Sequence, residues 1–242
     1  MERQHRHELK QDEFKDSLVQ IEDYLKQHYK EILNVSIIVI VVIGLAGGLK
    51  YYTGRQEANA NADLAAALST FRAYVGQPTP GQNEPPGTTF ATAQDKYKKA
   101  LQQFDAILDK YKMPPQPKAV AIARYQAGVC QALLGDEHGA IQTLTEASMD
   151  RDAEIASMAK FALAGELARS GKTAEAAKLY QELADHPTLT VPRASALLAL
   201  ADAYRESQPA KARELYERVA KEFANNTTVA QTVKQEISTL TP

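Results

Sequence analysis

Residues 162–184 read ALAGELARSGKTAEAAKLYQELA. Two helical segments meet in this stretch at Gly171, a residue that commonly ends helices because it has no Cβ. In the second segment Ala176 and Tyr180 are four residues apart and therefore lie on one helix face. The small side chain admits a neighbouring helix, and the large one fills the space beside it. The stretch predicts a helix hairpin that packs against other helices.

The same pairing of a small and a large residue recurs along the chain. The pairs are Ala100/Phe104, Ala140/Leu144, Ala176/Tyr180 and Ala212/Tyr216, and successive Ala positions differ by 40, 36 and 36 residues. Turn residues predict helix breaks at Met113–Pro117, Gly135–Asp136, Gly171, His186–Pro192, Gln208–Pro209 and Asn225–Asn226. Such a period indicates an all-α stack of helix hairpins that bury a shared core.

These positions resemble the tetratricopeptide repeat family. The matching residues are Gly128, Gly135, Ala140, Leu144 and Ala147 in a first repeat, Ala164, Gly171, Ala176 and Tyr180 in a second, and Leu200, Ala201, Tyr204, Ala212 and Tyr216 in a third. Arg124 and Lys160 stand where the family usually has Trp. The resemblance implies an α-solenoid whose first helices line a groove that binds protein segments.

In that register, six residues face the groove: Tyr125, Val129, Met158, Phe161, Leu198 and Arg205. Aromatic and Met side chains suit adaptable apolar binding of extended or unfolded segments. The alternative is that most of these residues pack between repeats, since a stack of hairpins needs many such contacts. The sequence leaves both interpretations open.

One long uncharged run, residues 32–49, precedes the repeats. Its 18 residues would extend about 27 Å as a helix, close to the roughly 30 Å of a bilayer core. Thirty-one residues precede the run, unlike a secretory signal, and charged residues separate it from the cleavage-like pattern Ala58-Asn59-Ala60. Tyr51 and Tyr52 fit an interfacial aromatic belt. We therefore predict a single transmembrane helix at residues 32–52.

The charge distribution predicts how the chain is oriented. Six Lys or Arg residues precede the span and two lie in the twenty residues after it. This bias favours a cytoplasmic N-terminus, residues 1–31, and an extracytoplasmic repeat domain, residues 53–242. Within the span, Gly44 and Gly48 form a G-x-x-x-G pattern. The pattern indicates packing against a second membrane helix, although Gly is also common in membrane helices generally.

The cytoplasmic tail carries a heptad-like apolar seam at Phe14, Leu18, Ile21, Leu25, His28 and Ile32. The seam predicts an amphipathic helix that runs into the span. It would lie on the membrane or a neighbouring helix, or else dock a cytoplasmic partner, and the pattern does not decide between these.

Helix is also predicted to continue from Asp63 through Val75. Residues 76–90 then contain seven Gly or Pro among fifteen residues, which predicts an exposed loop. Everything after this loop is predicted to be helical.

No constellation for catalysis is present in the sequence. Gly165 and Gly171 resemble a phosphate-binding loop but have five residues between them where that motif has four. His5 and His7 lack further ligands at metal-binding spacing. The net charge of −2 lacks the strong basic bias of nucleic-acid-binding proteins. The chain has one cysteine, Cys130, so it cannot form an intrachain disulfide. We predict a protein that is not an enzyme and has no metal, cofactor, nucleic-acid or small-molecule site.

The layout of a charged tail, one span and divergent repeats resembles the YfgM family of ancillary SecYEG translocon subunits. That resemblance implies a bacterial inner-membrane protein with a periplasmic repeat domain. Its implied partners are the SecYEG translocon, periplasmic chaperones and exported chains. The alternatives are a scaffold for another envelope assembly, such as cell division or outer-membrane biogenesis, and an enzyme of unrecognised type.

Overall fold

The computed structural model describes residues 2–76 and 89–240, and of residues 2–25 and 32 it describes the backbone alone. Contacts divide the chain into two compact units, Met1–Arg55 and Gln56–Pro242. The first unit consists of helix, and the second contains the repeats.

Helix α1, Glu2–Phe71, is continuous from the tail through the apolar run. Its Lys26–Phe71 part is long and apolar enough to cross a membrane, by length and composition. Large apolar side chains of the run, such as Ile38, Ile40 and Leu45, are exposed, because no other described element covers them. The structure describes only the backbone of residues 2–25. The side chains of the predicted seam at Phe14–Leu25, and those of His5 and His7, therefore lie outside the described part.

The predicted continuation of this helix to Val75 is wrong. Helix α1 ends at Phe71, and Tyr74–Val75 form strand β1. This strand pairs in parallel with β2, Thr89–Phe90, so the last two residues of the predicted loop lie in a strand. The N–H of Gly76 also donates to the carbonyl oxygen of Phe90 at 2.9 Å. The rest of the predicted loop, residues 77–88, lies outside the described residues.

Further helices follow with short connections: α2 Ala93–Lys110, α3 Lys118–Leu133, α4 Glu137–Ala147, α5 Ala153–Arg169, α6 Thr173–Asp185, α7 Arg193–Tyr204, α8 Pro209–Glu222 and α9 Thr227–Thr239. The breaks predicted from Gly, Pro and Asn fall between these helices, except that Pro209 is already the first residue of α8. An additional break, between α4 and α5, was not predicted. It occurs at residues 148–152, where the Asp152 carboxylate caps α5 by accepting from the Glu154 and Ile155 amides.

The helices of the second unit form consecutive antiparallel hairpins. The end of α1 pairs with α2, as shown by the Phe71 ring, whose centroid lies 5.6 Å from that of Tyr97 and 6.5 Å from that of Phe104. Helices α3 and α4, α5 and α6, and α7 and α8 form the next hairpins, and α9 packs on α8. Each hairpin also contacts the following one, which is the arrangement of an α-solenoid.

The core confirms the pairs of small and large residues that define the repeat. Every member of the four pairs is buried: Ala100, Phe104, Ala140, Leu144, Ala176, Tyr180, Ala212 and Tyr216. Between α3 and α4 the approach is especially close, because a Cβ on Gly128 would lie 2.7 Å from Cγ of Leu144. Small residues at these crossings therefore set the distance between helices.

Candidate functional site

Three helices lie side by side and form one layer of the solenoid. Helix α3 contacts α5, and α5 contacts α7, in addition to the contacts each makes within its own hairpin. We call α3, α5 and α7 the inner layer and the helices α4, α6 and α8 the outer layer. In a solenoid of helix hairpins the inner layer lines the extended concave surface on which partners bind.

The predicted groove residues all lie on or directly after inner-layer helices. Tyr125 and Val129 on α3, Phe161 on α5 and Leu198 on α7 are partly buried and pack against the larger hydrophobic cluster. The Phe161 ring meets Tyr180 edge to face, with 5.4 Å between the ring centroids. Met158 on α5 is also partly exposed. Each of these side chains is partly packed in the core and partly exposed to solvent. Their role in binding protein segments stays a prediction.

Arg205, which follows α7, has a dense set of internal partners. Its guanidinium donates to the Tyr216 hydroxyl at 3.0 Å, to Oγ1 of Thr239 at 3.0 Å and to a Glu236 carboxylate oxygen. It also pairs with Asp202 at 3.3 Å. The hydrogen bond that Arg205 donates to Glu236, and then the one that it donates to Tyr216, raise the pKa of Arg205 above its ordinary value. Arg205 therefore links the end of α7 to α9. The carboxylates of Asp202 and Glu236 compensate its positive charge.

The inner-layer helices present partly exposed side chains at the same 4-3-4 spacing. We call this set the inner stripe. It consists of Ile122, Gln126, Val129 and Leu133 on α3; Met158, Ala162, Gly165 and Arg169 on α5; and Ser195, Ala199, Asp202 and Glu206 on and just after α7. Residues at this spacing follow one helix face. The α3 part is mostly apolar, the α5 part has small side chains at its centre, and the α7 part is polar and acidic.

A cavity of about 330 Å³ opens between α3 and α5 on the inner stripe. Its lining is mostly apolar and consists of Val129, Ala132, Leu133, Leu144, Ala162, Glu166 and Arg169. Leu133 is 51% exposed at its rim. Since apolar side chains are the usual anchors of bound protein segments, a cavity of this lining can accept an apolar side chain from a partner.

Polar groups border the same cavity. The Glu166 side chain is only 11% exposed, and its carboxylate pairs with the guanidinium of Arg169, whose side chain is 63% exposed. A Cβ on Gly165 would lie 3.5 Å from the Tyr180 hydroxyl, which places that hydroxyl directly beneath the stripe. Burial raises the pKa of Tyr180 to about 12, so the hydroxyl keeps its proton at neutral pH. The Oε1 atom of Gln126 is buried and has no hydrogen-bond partner among the described residues.

A second cavity, of about 780 Å³, lies at the edge of the solenoid between the α2–α3 and α4–α5 loops. Proline residues 114, 115 and 117 and the side chain of Met149 form its apolar lining. Charged side chains of both signs complete it, among them Lys118, Arg124, Glu146 and Arg151. This mixed lining differs from that of the inner cavity, which is mostly apolar.

Cys130 on α3 is fully buried, and burial raises the pKa of its thiol to about 12. A thiol that stays protonated is a poor nucleophile, so Cys130 contributes packing. Across the described side chains, no three His, Cys, Asp or Glu residues form a group that could hold a metal ion. His138, in the first turn of α4, and His186, directly after α6, are both exposed.

Sequence reasoning missed the small residues at the centre of the inner stripe, Ala162 and Gly165. Gly165 drew attention only as part of a false phosphate-binding loop, whereas the structure places it inside α5. The available signal was its spacing of three and four residues from Ala162 and Arg169. That spacing is informative only once the inner face of the helix is known.

Comparison with known proteins supports the repeat architecture. A family model described as tetratricopeptide repeat matches residues 195–226, which contain most of α7 and all of α8. No curated protein matches the chain significantly. The matched segment includes every residue quoted above for the third repeat. The chain therefore carries a tetratricopeptide repeat within an all-α, tetratricopeptide-repeat-like solenoid, the kind of domain that serves as a protein-interaction module.

Proposed function

We propose that this protein is a membrane-tethered module that binds protein segments on its inner stripe. The observation that carries the proposal is the partly exposed apolar surface of α3 and α5, with its 330 Å³ cavity. The same chain contains a segment apolar enough to cross a membrane. Tethering raises the effective concentration of a weak binder near its targets, because the two no longer diffuse independently.

The topology we propose is a single crossing at residues 32–52, with residues 1–31 in the cytoplasm and residues 53–242 outside it. The exposed apolar side chains around the whole circumference of α1 support the crossing, since lipid would cover them. The excess of Lys and Arg before the span supports the orientation. A Cβ added at Gly44 or Gly48 would have no neighbour within 4 Å, which leaves room for a second membrane helix at that face.

We further propose a bacterial inner-membrane location, with the repeat domain in the periplasm beside the SecYEG translocon. The bound segments would be exported chains or the chaperones that receive them. The support is the layout of tail, span and divergent repeats together with the apolar inner cavity, which suits unfolded segments better than a charged surface would. An envelope scaffold is the competing function, and the acidic α7 part of the stripe would suit a folded, basic partner.

Site-specific photocrosslinking in the intact membrane tests this proposal. A photoreactive side chain would be placed at Met158 or Leu133 on the inner stripe, or at Gln142 on the outer helix α4 as the matched control. We expect crosslinks to translocon subunits, periplasmic chaperones or exported chains from the two stripe positions and none from Gln142. Crosslinks to one folded envelope-assembly protein would instead establish the scaffold function.

A charge variant supplies the complementary measurement. Leu133→Glu puts a carboxylate at the rim of the apolar cavity, and Gln142→Glu adds the same charge to the outer face. We expect Leu133→Glu to weaken binding of an unfolded polypeptide about tenfold, the effect of about 1.4 kcal/mol. Equal affinity for the two variants would remove the cavity from the proposed site.

A further inference from the structure

The loops that join consecutive hairpins each present one large, exposed apolar side chain. Met113 in the α2–α3 loop is 69% exposed, Met149 in the α4–α5 loop is 72% exposed, and Leu189 in the α6–α7 loop is 92% exposed. Residues of this size are costly to leave in water, and here they recur once per hairpin. Their recurrence in equivalent loops indicates a common surface.

The three loops lie along one edge of the solenoid. Each leaves the C-terminal end of one hairpin's second helix and enters the N-terminal end of the next inner helix. In a stack of antiparallel hairpins these ends are on the same side. We call this side the loop edge.

The chain also enters the second unit at the loop edge. Near the end of α2, Lys110 and Tyr111 bind the Asp63 carboxylate of α1, with distances of 2.7 Å and 2.8 Å. Gln56, where the unit begins, is seven residues before Asp63 in the same helix and therefore lies toward or beyond that end of α2. Four peptide steps of at most about 3.6 Å separate Gln56 from Tyr52 at the end of the proposed span, which limits the distance to roughly 15 Å.

Positive charge accompanies two of the apolar side chains. Lys112 directly precedes Met113, Lys118 is the first residue of α3, and Arg151 lies two residues after Met149. None of these three cations forms an ion pair within the described part of the chain. The nearby acids hold the loop in shape: Asp150 accepts from the Asp152 amide at 2.9 Å, and Asp152 caps α5.

The loop that carries Leu189 is fixed by a contact from the first turn of α5. The Glu154 carboxylate accepts from the Thr190 amide at 2.9 Å, from its hydroxyl at 2.8 Å and from the Leu189 amide at 3.3 Å. This fixation keeps Leu189 presented to solvent, so the loop loses little further entropy on binding.

We propose that the loop edge docks on the surface of the lipid bilayer that α1 crosses. Met113, Met149 and Leu189 insert among the headgroups, and Lys112, Lys118 and Arg151 face anionic lipid phosphates. Isolated apolar tips with adjacent cations are the pattern of peripheral lipid binding, and the entry of the chain at this edge keeps the lipid within reach. The inference rests on the proposed membrane crossing but not on the nature of the bound protein segments.

The absence of Trp from the sequence allows a direct test with single-Trp variants of the full chain. Met113→Trp, Met149→Trp and Leu189→Trp would each be reconstituted in anionic liposomes with and without brominated lipids, which quench Trp on contact. His138→Trp and Ser207→Trp are the matched controls, because both residues are exposed and lie where the two helices of a hairpin are joined, His138 at the start of α4 and Ser207 in the α7–α8 turn, on the opposite edge. We expect loss of emission at the three loop-edge positions and unchanged emission at the two controls.

Other quenching patterns would overturn the proposal. Quenching at position 113 alone would show proximity imposed by the span without docking, and equal quenching at all five positions would show unspecific adsorption. Absence of quenching in a chain that resists alkaline extraction would refute docking while the crossing stands, and a chain that is extracted would refute both. As a second check, the double substitution Met149→Asp and Leu189→Asp should reduce quenching of the Trp in Met113→Trp. Unchanged quenching would overturn docking through these two side chains and would favour a protein partner at this edge.

Discussion

At position 128 on α3, two helices approach too closely for a side chain. A Cβ on Gly128 would lie 2.7 Å and 2.9 Å from Cγ and Cδ2 of the buried Leu144. We expect Gly128→Ala to lower the free energy of unfolding by about 1–3 kcal/mol, because the added methyl group forces the Leu144 side chain or the backbone of the two helices to shift. Denaturant titration followed by circular dichroism measures the change.

Gly165 on α5 provides the matched control for that substitution. Its Cβ would meet one atom, the Tyr180 hydroxyl, at the ordinary contact distance of 3.5 Å. Because Ala favours helix over Gly by up to about 1 kcal/mol, Gly165→Ala should leave stability unchanged or raise it. Similar unfolding midpoints for the two variants would refute the close approach at Gly128.

The buried hydroxyl of Tyr180 predicts a loss of stability in alkali. Burial raises its pKa from 10.0 to about 12, so between these values the unfolded chain releases this proton and the folded chain keeps it. The stabilisation is complete below pH 10 and decreases by about 1.4 kcal/mol per pH unit as the pH rises toward 12. Between pH 10 and 12, the free energy of unfolding of Tyr180→Phe should therefore fall less steeply with pH than that of the unsubstituted protein, by about 1.4 kcal/mol per pH unit. An unchanged slope would show that the hydroxyl ionises equally in both states.

Among the elements, the start of α5 depends on a single side chain. The Asp152 carboxylate accepts from the amides of Glu154 and Ile155, at 3.0 Å and 3.4 Å. Asp152→Ala should lower the unfolding free energy by about 1 kcal/mol, and Asp152→Asn should retain most of it because an amide oxygen also caps helices. Thermal unfolding of the two variants side by side measures this difference. A loss of the same size in Asp152→Asn would assign the effect to charge.

The helices and most of their ends could be predicted because Gly, Pro and Asn mark them locally. The break at residues 148–152 contains none of these residues and depends on hydrogen bonds that backbone amides donate to the Asp150 and Asp152 carboxylates. The pairing of Tyr74–Val75 with Thr89–Phe90 joins the segment before the Pro/Gly-rich loop to the last two residues of that loop. Neither the local hydrogen bonds nor the pairing across a loop appears in helical periodicity, so both were missed.

Prediction of the candidate site was less complete than prediction of the fold. The repeat period of the sequence identified the inner-layer helices. All six predicted groove residues lie on these helices or directly after them. It did not separate side chains that face the groove from side chains that face a neighbouring helix. Arg205 illustrates this, since its partners Glu236 and Thr239 come from α9, more than thirty residues away in sequence.

At the scale of the whole molecule, the charge asymmetry around the span predicts the side of the membrane on which each part lies. Cys130 makes the test simple, because the one native thiol is fully buried and burial raises its pKa to about 12. Cysteines introduced by Ser17→Cys or Ser207→Cys can therefore be labelled against little background. Ser207 is exposed in the turn between α7 and α8.

We expect a membrane-impermeant maleimide to label the Ser207→Cys variant in intact spheroplasts and the Ser17→Cys variant only after permeabilisation. Six Lys or Arg residues before the span, against two in the twenty residues after it, make the opposite insertion unfavourable. The reversed pattern would place the repeat domain in the cytoplasm and exclude exported chains as its ligands. Labelling of both variants without permeabilisation would contradict a single crossing, and the inner stripe would then have to act without a tether.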